Sequence, residues 1–95
     1  VHFPMPDTDL RTELWEGIFP ENTPVSPEVD CRMLAQAFEL SGASIKNAAM
    51  HAALLAKADD TSVGMRHILD GIRNEYGKQG KNFSSSQKEL ADAFL

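Results

Sequence analysis

The run from Ser41 to Ala58 constrains the fold of this chain more than any other stretch. Ile45, Ala48, Ala49, Ala52, Leu55 and Ala56 recur at helical spacing, the mark of a long amphipathic helix. Ser41 is a good N-cap residue, and Gly42 and Ala43 leave the first turn without bulk. Met50 and Leu54 widen the apolar face, which predicts the central helix of the fold. The many alanines allow close approach by its neighbours. Lys46, Asn47, His51 and Lys57 are left for the polar side. A helix start this small offers free N–H groups and a positive dipole end. Binding sites use such an end, and so do plain helix starts, so the local pattern leaves both open.

Helices are also predicted on either side. Asp7 or Thr8 caps a first helix to about Gly17, with Leu10, Leu14, Trp15 and Ile18 as its apolar stripe. A proline-containing loop follows, from Phe19 to Pro27. Asp30 caps a second helix to about Leu40, with Leu34, Ala37 and Phe38 facing inward and Val29 as a staple residue. After a turn at Asp59 to Ser62, a fourth helix runs from Met65 to about Tyr76 on Ile68, Leu69 and Ile72. Gly77 and Gly80 end it, with Lys78 and Lys81 near its negative end. Asn82 to Ser85 reads as a mobile connection. Ser86-Gln87-Lys88-Glu89 matches a capping box for a short last helix with Leu90, Ala91 and Phe94. Val1 to Phe3 is a short β-type fragment ended by Pro4 and Pro6, read as the last strand of a longer parent.

The expected class is all-α: a small four-helix bundle after a short extended segment, with an extra C-terminal helix as a candidate. Three parts follow: residues 1–6 as strand remnant and hinge, 7–81 as the bundle, and 82–95 as a flexible tail with the short helix. The formal net charge of -5 argues against a nucleic-acid partner, which needs a basic face, and against an anionic membrane surface. The single cysteine, Cys31, excludes an internal disulfide and is compatible with a reducing compartment.

The order of these pieces resembles the end of an AAA+ ATPase module of the AAA clade, in the wording of its bacterial members. The strand matches at Val1-His2-Phe3-Pro4-Met5-Pro6-Asp7. The next helix matches at Arg11, Leu14 and Ile18, and the one after at Asp30 and Leu34-Ala35. The lid helix matches at Ser41-Gly42-Ala43-Ser44-Ile45, and the final helix over His67 to Tyr76 with Lys78. The resemblance covers about residues 1 to 81.

That resemblance implies a lid that closes over the adenosine half of ATP. Gly42 and Ala43 would lie against adenine and ribose, with Leu14 and Ile18 on the other side of the base. Ser44 stands where many related ATPases carry an arginine that senses the γ-phosphate. Lys46 lies about half a turn further on. The chain has no G-x-x-x-x-G-K-[ST] loop and no apolar run ending in an acidic pair for Mg²⁺, so it is not expected to hydrolyse ATP alone. ATP or ADP with Mg²⁺ belongs to the full-length parent, with no nucleotide held tightly by this segment. The implied partners are the parent's own ATPase core, the neighbouring subunits of a homo-oligomeric ring, and a protein substrate that is remodelled or unfolded. The implied location is the cytoplasm, and Pro4 and Pro6 would flank the hinge. The alternative is a stand-alone helical protein-interaction module.

The remaining reactive side chains read as structural. His2, His51 and His67 have no metal-ligand spacing, and Asp59-Asp60 reads as a solvated turn without a calcium-loop pattern. Cys31 on an early helical turn invites a lowered pKa, but no catalytic partner accompanies it. Trp15 reads as packing, and the methionines as core fillers.

Overall fold

In the computed structural model, residues 7–19 and 23–94 are described. They form α1 (Thr8–Ile18), α2 (Cys31–Ala37), α3 (Gly42–Ala58), α4 (Met65–Lys78) and α5 (Ser85–Asp92). The all-α expectation is met: among the described residues the only β pairing is a lone parallel bridge, Val25 to Val63. There Ser26 N–H donates to Val63 O at 2.8 Å and Val63 N–H to Pro24 O at 2.9 Å, which pins the loop before α2 to the turn before α4. The expected strand and hinge over residues 1–6 lie outside the described residues.

Short polar side chains start most of the helices. Asp7, Asp30, Ser41 and Ser84 each accept a bond from the amide three residues on, at 2.8 to 3.2 Å, satisfying one of the donors a helix start leaves open. The capping box of α5 is Ser84 with Gln87, not the Ser86–Glu89 pair. Gln87 Oε1 accepts from Ser84 N–H at 2.8 Å, and Gln87 N–H donates to Ser84 Oγ at 3.2 Å. Both serines fit the rule locally. The earlier one wins because Gln87 Nε2 also reaches Ala37 O at 2.7 Å and Tyr76 Oη at 3.3 Å.

The helix ends differ from the sequence reading in two places. α2 stops at Ala37 rather than Leu40, because Phe38 turns extended at φ -128°, ψ 121°. Side chains then alternate, so Phe38 and Leu40 point into the core and Glu39 out. Ala35, not Ala37, is the fully buried alanine of α2. α4 runs through Gly77 and ends at Lys78, and Gly80 just beyond it adopts φ +71°. Lys81 N–H donates to Tyr76 O at 2.9 Å and Gly80 N–H to Gly77 O at 3.1 Å, the paired bonds of a Schellman end. Asp60, at φ 57°, closes α3 in the same way: Thr61 N–H donates to Ala56 O and Asp60 N–H to Lys57 O.

The core lies mainly between α3 and α4. Ala48, Ala49, Ala52 and Ala56 of α3 meet Ile68, Leu69 and Ile72 of α4, all buried. The crossing is tight enough that a Cβ on Gly71 would fall 2.5 Å from Ala48 O. Met50 and Leu54 do not join this face. They are 56% and 68% exposed, because the alanine face alone fills the contact and the wider stripe points to solvent. α1 is tied to α2 by the buried Arg11, whose Nε donates to Ala35 O at 2.9 Å. The segment after Asn82 returns to the core. Phe83 is buried against Phe38 and Tyr76, with ring centroids 5.2 and 5.3 Å away, and Ala91 is buried as well. An aromatic ring placed two residues after the Schellman end falls back onto the groove beside α4.

Candidate functional site

The N-terminal end of α3 is built by its cap. Ser41 is extended at φ -70°, ψ 164°, and its Oγ accepts from Ser44 N–H at 3.1 Å. Ile45 N–H donates to Ser41 O at 3.0 Å. Gly42 and Ala43 occupy the first two helical positions, so their amides have no partner four residues back. Both residues are exposed.

Leu14 of α1 stands beside this turn: a Cβ built on Gly42 would lie 3.8 Å from Leu14 Cδ1. That is ordinary van der Waals contact, so nothing among the described residues requires glycine there. Leu14 and Ile18 are one helical turn apart on α1, both half-buried and packed against the core. The fold therefore places Gly42 beside Leu14, with Ala43 the next residue of α3 and Ile18 further along α1.

Ser44 is different. It is 7% exposed, and its Oγ accepts from Ser41 Oγ–H at 3.2 Å and from Gln79 Nε2 at 3.2 Å. The hydroxyl is committed to fastening the start of α3 to the end of α4. The same seam continues with Asn47 Nδ2 donating to Glu75 Oε1 at 3.3 Å and His51 Nε2 meeting Asp70 Oδ2 at 2.7 Å. Lys78 Nζ, 2.8 Å from Glu75 Oε2, completes the neutralisation of a carboxylate that is only 4% exposed. Lys46 is exposed on the outer side of the helix.

A second polar group gathers where α4 begins. Gly64 N–H donates to His67 Nδ1 at 2.9 Å, which leaves the proton on Nε2, and Nε2–H donates to Asp59 Oδ2 at 2.9 Å. Arg66 Nη2 reaches the same oxygen at 3.3 Å. The hydrogen bond from His67, aided by the Arg66 charge, holds the Asp59 carboxyl below its usual range. His67 is buried, and Glu28 Oε1 accepts from Met65 N–H at 3.3 Å. These bonds replace the missing side-chain cap at Gly64, which explains a buried histidine without a reaction. Asp59 is thus a helix-terminal partner of His67 rather than a merely solvated turn residue.

Cys31 keeps to the structural reading, and the lowered pKa that its helix-start position invites does not arise. Partial burial, with the charges of Glu16 and Asp30 nearby, pushes its thiol up rather than down. The helix-start effect is outweighed by desolvation and two carboxylates. Among the described residues, no three His, Cys, Asp or Glu side chains come together to hold a metal ion. No helix among the described residues is long and apolar enough to cross a membrane. Trp15 is 1% exposed in the core, and its Nε1–H has no acceptor among the described residues.

The arrangement at α3 has a shape rather than a reactive group: an exposed turn with nothing larger than a methyl at Gly42 and Ala43, two amides without a partner among the described residues, and an apolar wall from α1. No nucleophile, acid or base among the described residues is aimed at it. Comparison with protein-family models finds no match to this chain, and comparison with curated proteins finds none either.

Proposed function

We propose that this chain is the helical lid of an AAA+ ATPase of the AAA clade. It closes over the adenosine of ATP bound to the parent's core and passes the nucleotide state to a neighbouring subunit of a homo-oligomeric ring. The parent's work is protein remodelling or unfolding in the cytoplasm. One observation carries the reading: Leu14 beside the exposed Gly42-Ala43 start of α3, which bears no group larger than a methyl. A purine is flat and apolar on its faces, so it needs an apolar wall on one side and an absence of bulk on the other. Leu14, with Ile18 a turn away, supplies the wall. Gly42 and Ala43 supply the absence. Ser44 does not reach a ligand with its hydroxyl already engaged; it positions the turn by tying α3 to α4. ATP and Mg²⁺ supply the phosphoryl chemistry on the parent's core, while this chain contributes shape and a rigid lever.

The test is Gly42→Trp in the full-length parent. It should weaken ADP binding by at least about tenfold, which corresponds to about 1.4 kcal/mol. Gly42→Ala, which meets only ordinary contact in the fold, reports on stability alone. Wild-type ADP affinity in a folded Gly42→Trp parent would refute the lid reading. The isolated chain is expected to bind ATP only weakly, since half the site lies on the core.

Met50 and Leu54 favour a second reading, a stand-alone helical interaction module, because they leave an apolar stripe exposed on α3. The encoding reading frame separates the two. A phosphate loop about 150–200 residues upstream, a domain's length, supports the lid; an initiator Met directly before Val1 removes it.

A further inference from the structure

Cations are scarce in this chain, with nine Lys and Arg against fourteen Asp and Glu. Ample carboxylate is therefore available to pair with each of them. Arg32, Arg66 and Lys78 do pair, with Asp9, Asp59 and Glu75. Arg73, Lys81 and Lys88 form no ion pair among the described residues, yet all three line one cavity of about 500 Å³. They come from three different parts of the fold: α4, the loop after it, and α5.

Two features hold the cluster in place. Arg73 Cζ lies 5.3 Å from the centroid of the Phe83 ring, so a buried aromatic face orients the guanidinium. The left-handed turn at Gly80, with Lys81 N–H bonded to Tyr76 O, anchors the backbone of Lys81 against the end of α4. Asn82 adds an amide to the lining, and Asp92 is the single carboxylate there among the described residues. Lys88 and Asp92 sit one turn apart on α5, in the weaker order for a helical pair, and form no ion pair. Three cations against one carboxylate leave the described lining with an excess of positive charge, which an anion would relieve.

We propose that this cavity binds a multiply charged phosphate anion. A monocarboxylate brings one charge and two oxygens, too few for three cations and an amide. A phosphate group spreads about two charges over three oxygens, and guanidinium and ammonium groups are its usual partners. The cavity is larger than one phosphate, which points to pyrophosphate or a phosphorylated organic group. This inference does not rest on the lid reading, since it uses neither Gly42 nor Leu14.

The probe is inorganic pyrophosphate, titrated into the full chain at low ionic strength and followed by amide NMR shifts, with sodium chloride matched for ionic strength in a parallel series. Saturable shifts at Lys81, Asn82 and Phe83, absent in the chloride series, are expected. The double variant Lys81→Gln, Lys88→Gln should bind at least about tenfold more weakly, in line with the loss of charge-assisted hydrogen bonds. Both side chains are exposed, so the variant keeps its fold, and unchanged shifts elsewhere verify that. The double variant Lys46→Gln, Lys57→Gln, which removes an equal charge from exposed positions of α3, should leave the affinity as it is. Linear, unsaturable shifts, shifts that chloride reproduces, or a double variant that binds like the wild type would each overturn the proposal.

Discussion

Two glycines show how the same residue carries different weight. Gly71 has the backbone of Ala48 against it, with Ala48 O 2.5 Å from any added Cβ. Gly17, in the last turn of α1, has no described atom within 4 Å of an added Cβ. Gly71→Ala should destabilise the chain by about 1–3 kcal/mol through overpacking of the α3–α4 crossing. Gly17→Ala should stabilise it by up to about 1 kcal/mol, by lowering the entropy of the unfolded chain in a helical position. Urea unfolding of the two variants checks the opposite signs, and equal shifts in one direction would contradict the packing at Gly71. Sequence alone presents two glycines inside helical patterns and no means of telling them apart. Asp59 makes a similar point. As part of a turn it reads as solvated, but the fold brings His67 within 2.9 Å.

Among the elements, the helix starts were the most legible. Asp7, Asp30 and Ser41 act where local chemistry puts them, because a cap and its amide are only three residues apart. α5 is the exception that tests the rule. Ser84→Ala should lower stability by about 1 kcal/mol, as loss of a working cap does. Ser86→Ala, at an exposed helical position, should change stability by less than about 0.5 kcal/mol. Thermal melts of the two variants distinguish the observed box from the one that the sequence favours, and a larger effect at Ser86 would reverse the assignment. The choice depends on Gln87 reaching Ala37 O, fifty residues away in sequence, which no local pattern contains.

For the molecule as a whole, the largest difference is where the core ends. Read by pattern, it ends near Lys81, and the rest is a tail. In the fold, Phe83 packs against Phe38 and Tyr76 and makes α5 part of the same body. Phe83→Ala should cost about 3 kcal/mol, the lower end for truncating a buried phenylalanine, read by urea denaturation. A change under about 0.5 kcal/mol would mean that the segment after Asn82 contributes no core. The variant should also loosen Arg73, which rests on the same ring, so stability and the cationic cavity are linked through one side chain.

The sequence by itself determined the order of the helices and the starts of the first four, because spacing and caps act within a few residues. The neighbourhood of Leu14 and Gly42 lies outside what spacing and caps reach; only the family resemblance implied it. Tertiary structure decided which apolar residues are core. Met50 and Leu54 satisfy the helical period as well as Ala52 does, but only the alanines fit the close approach of α4. It also decided what Ser44 does, because its partner Gln79 is thirty-five residues away. Contacts across such distances depend on how the helices pack, and packing is a property of the assembled chain.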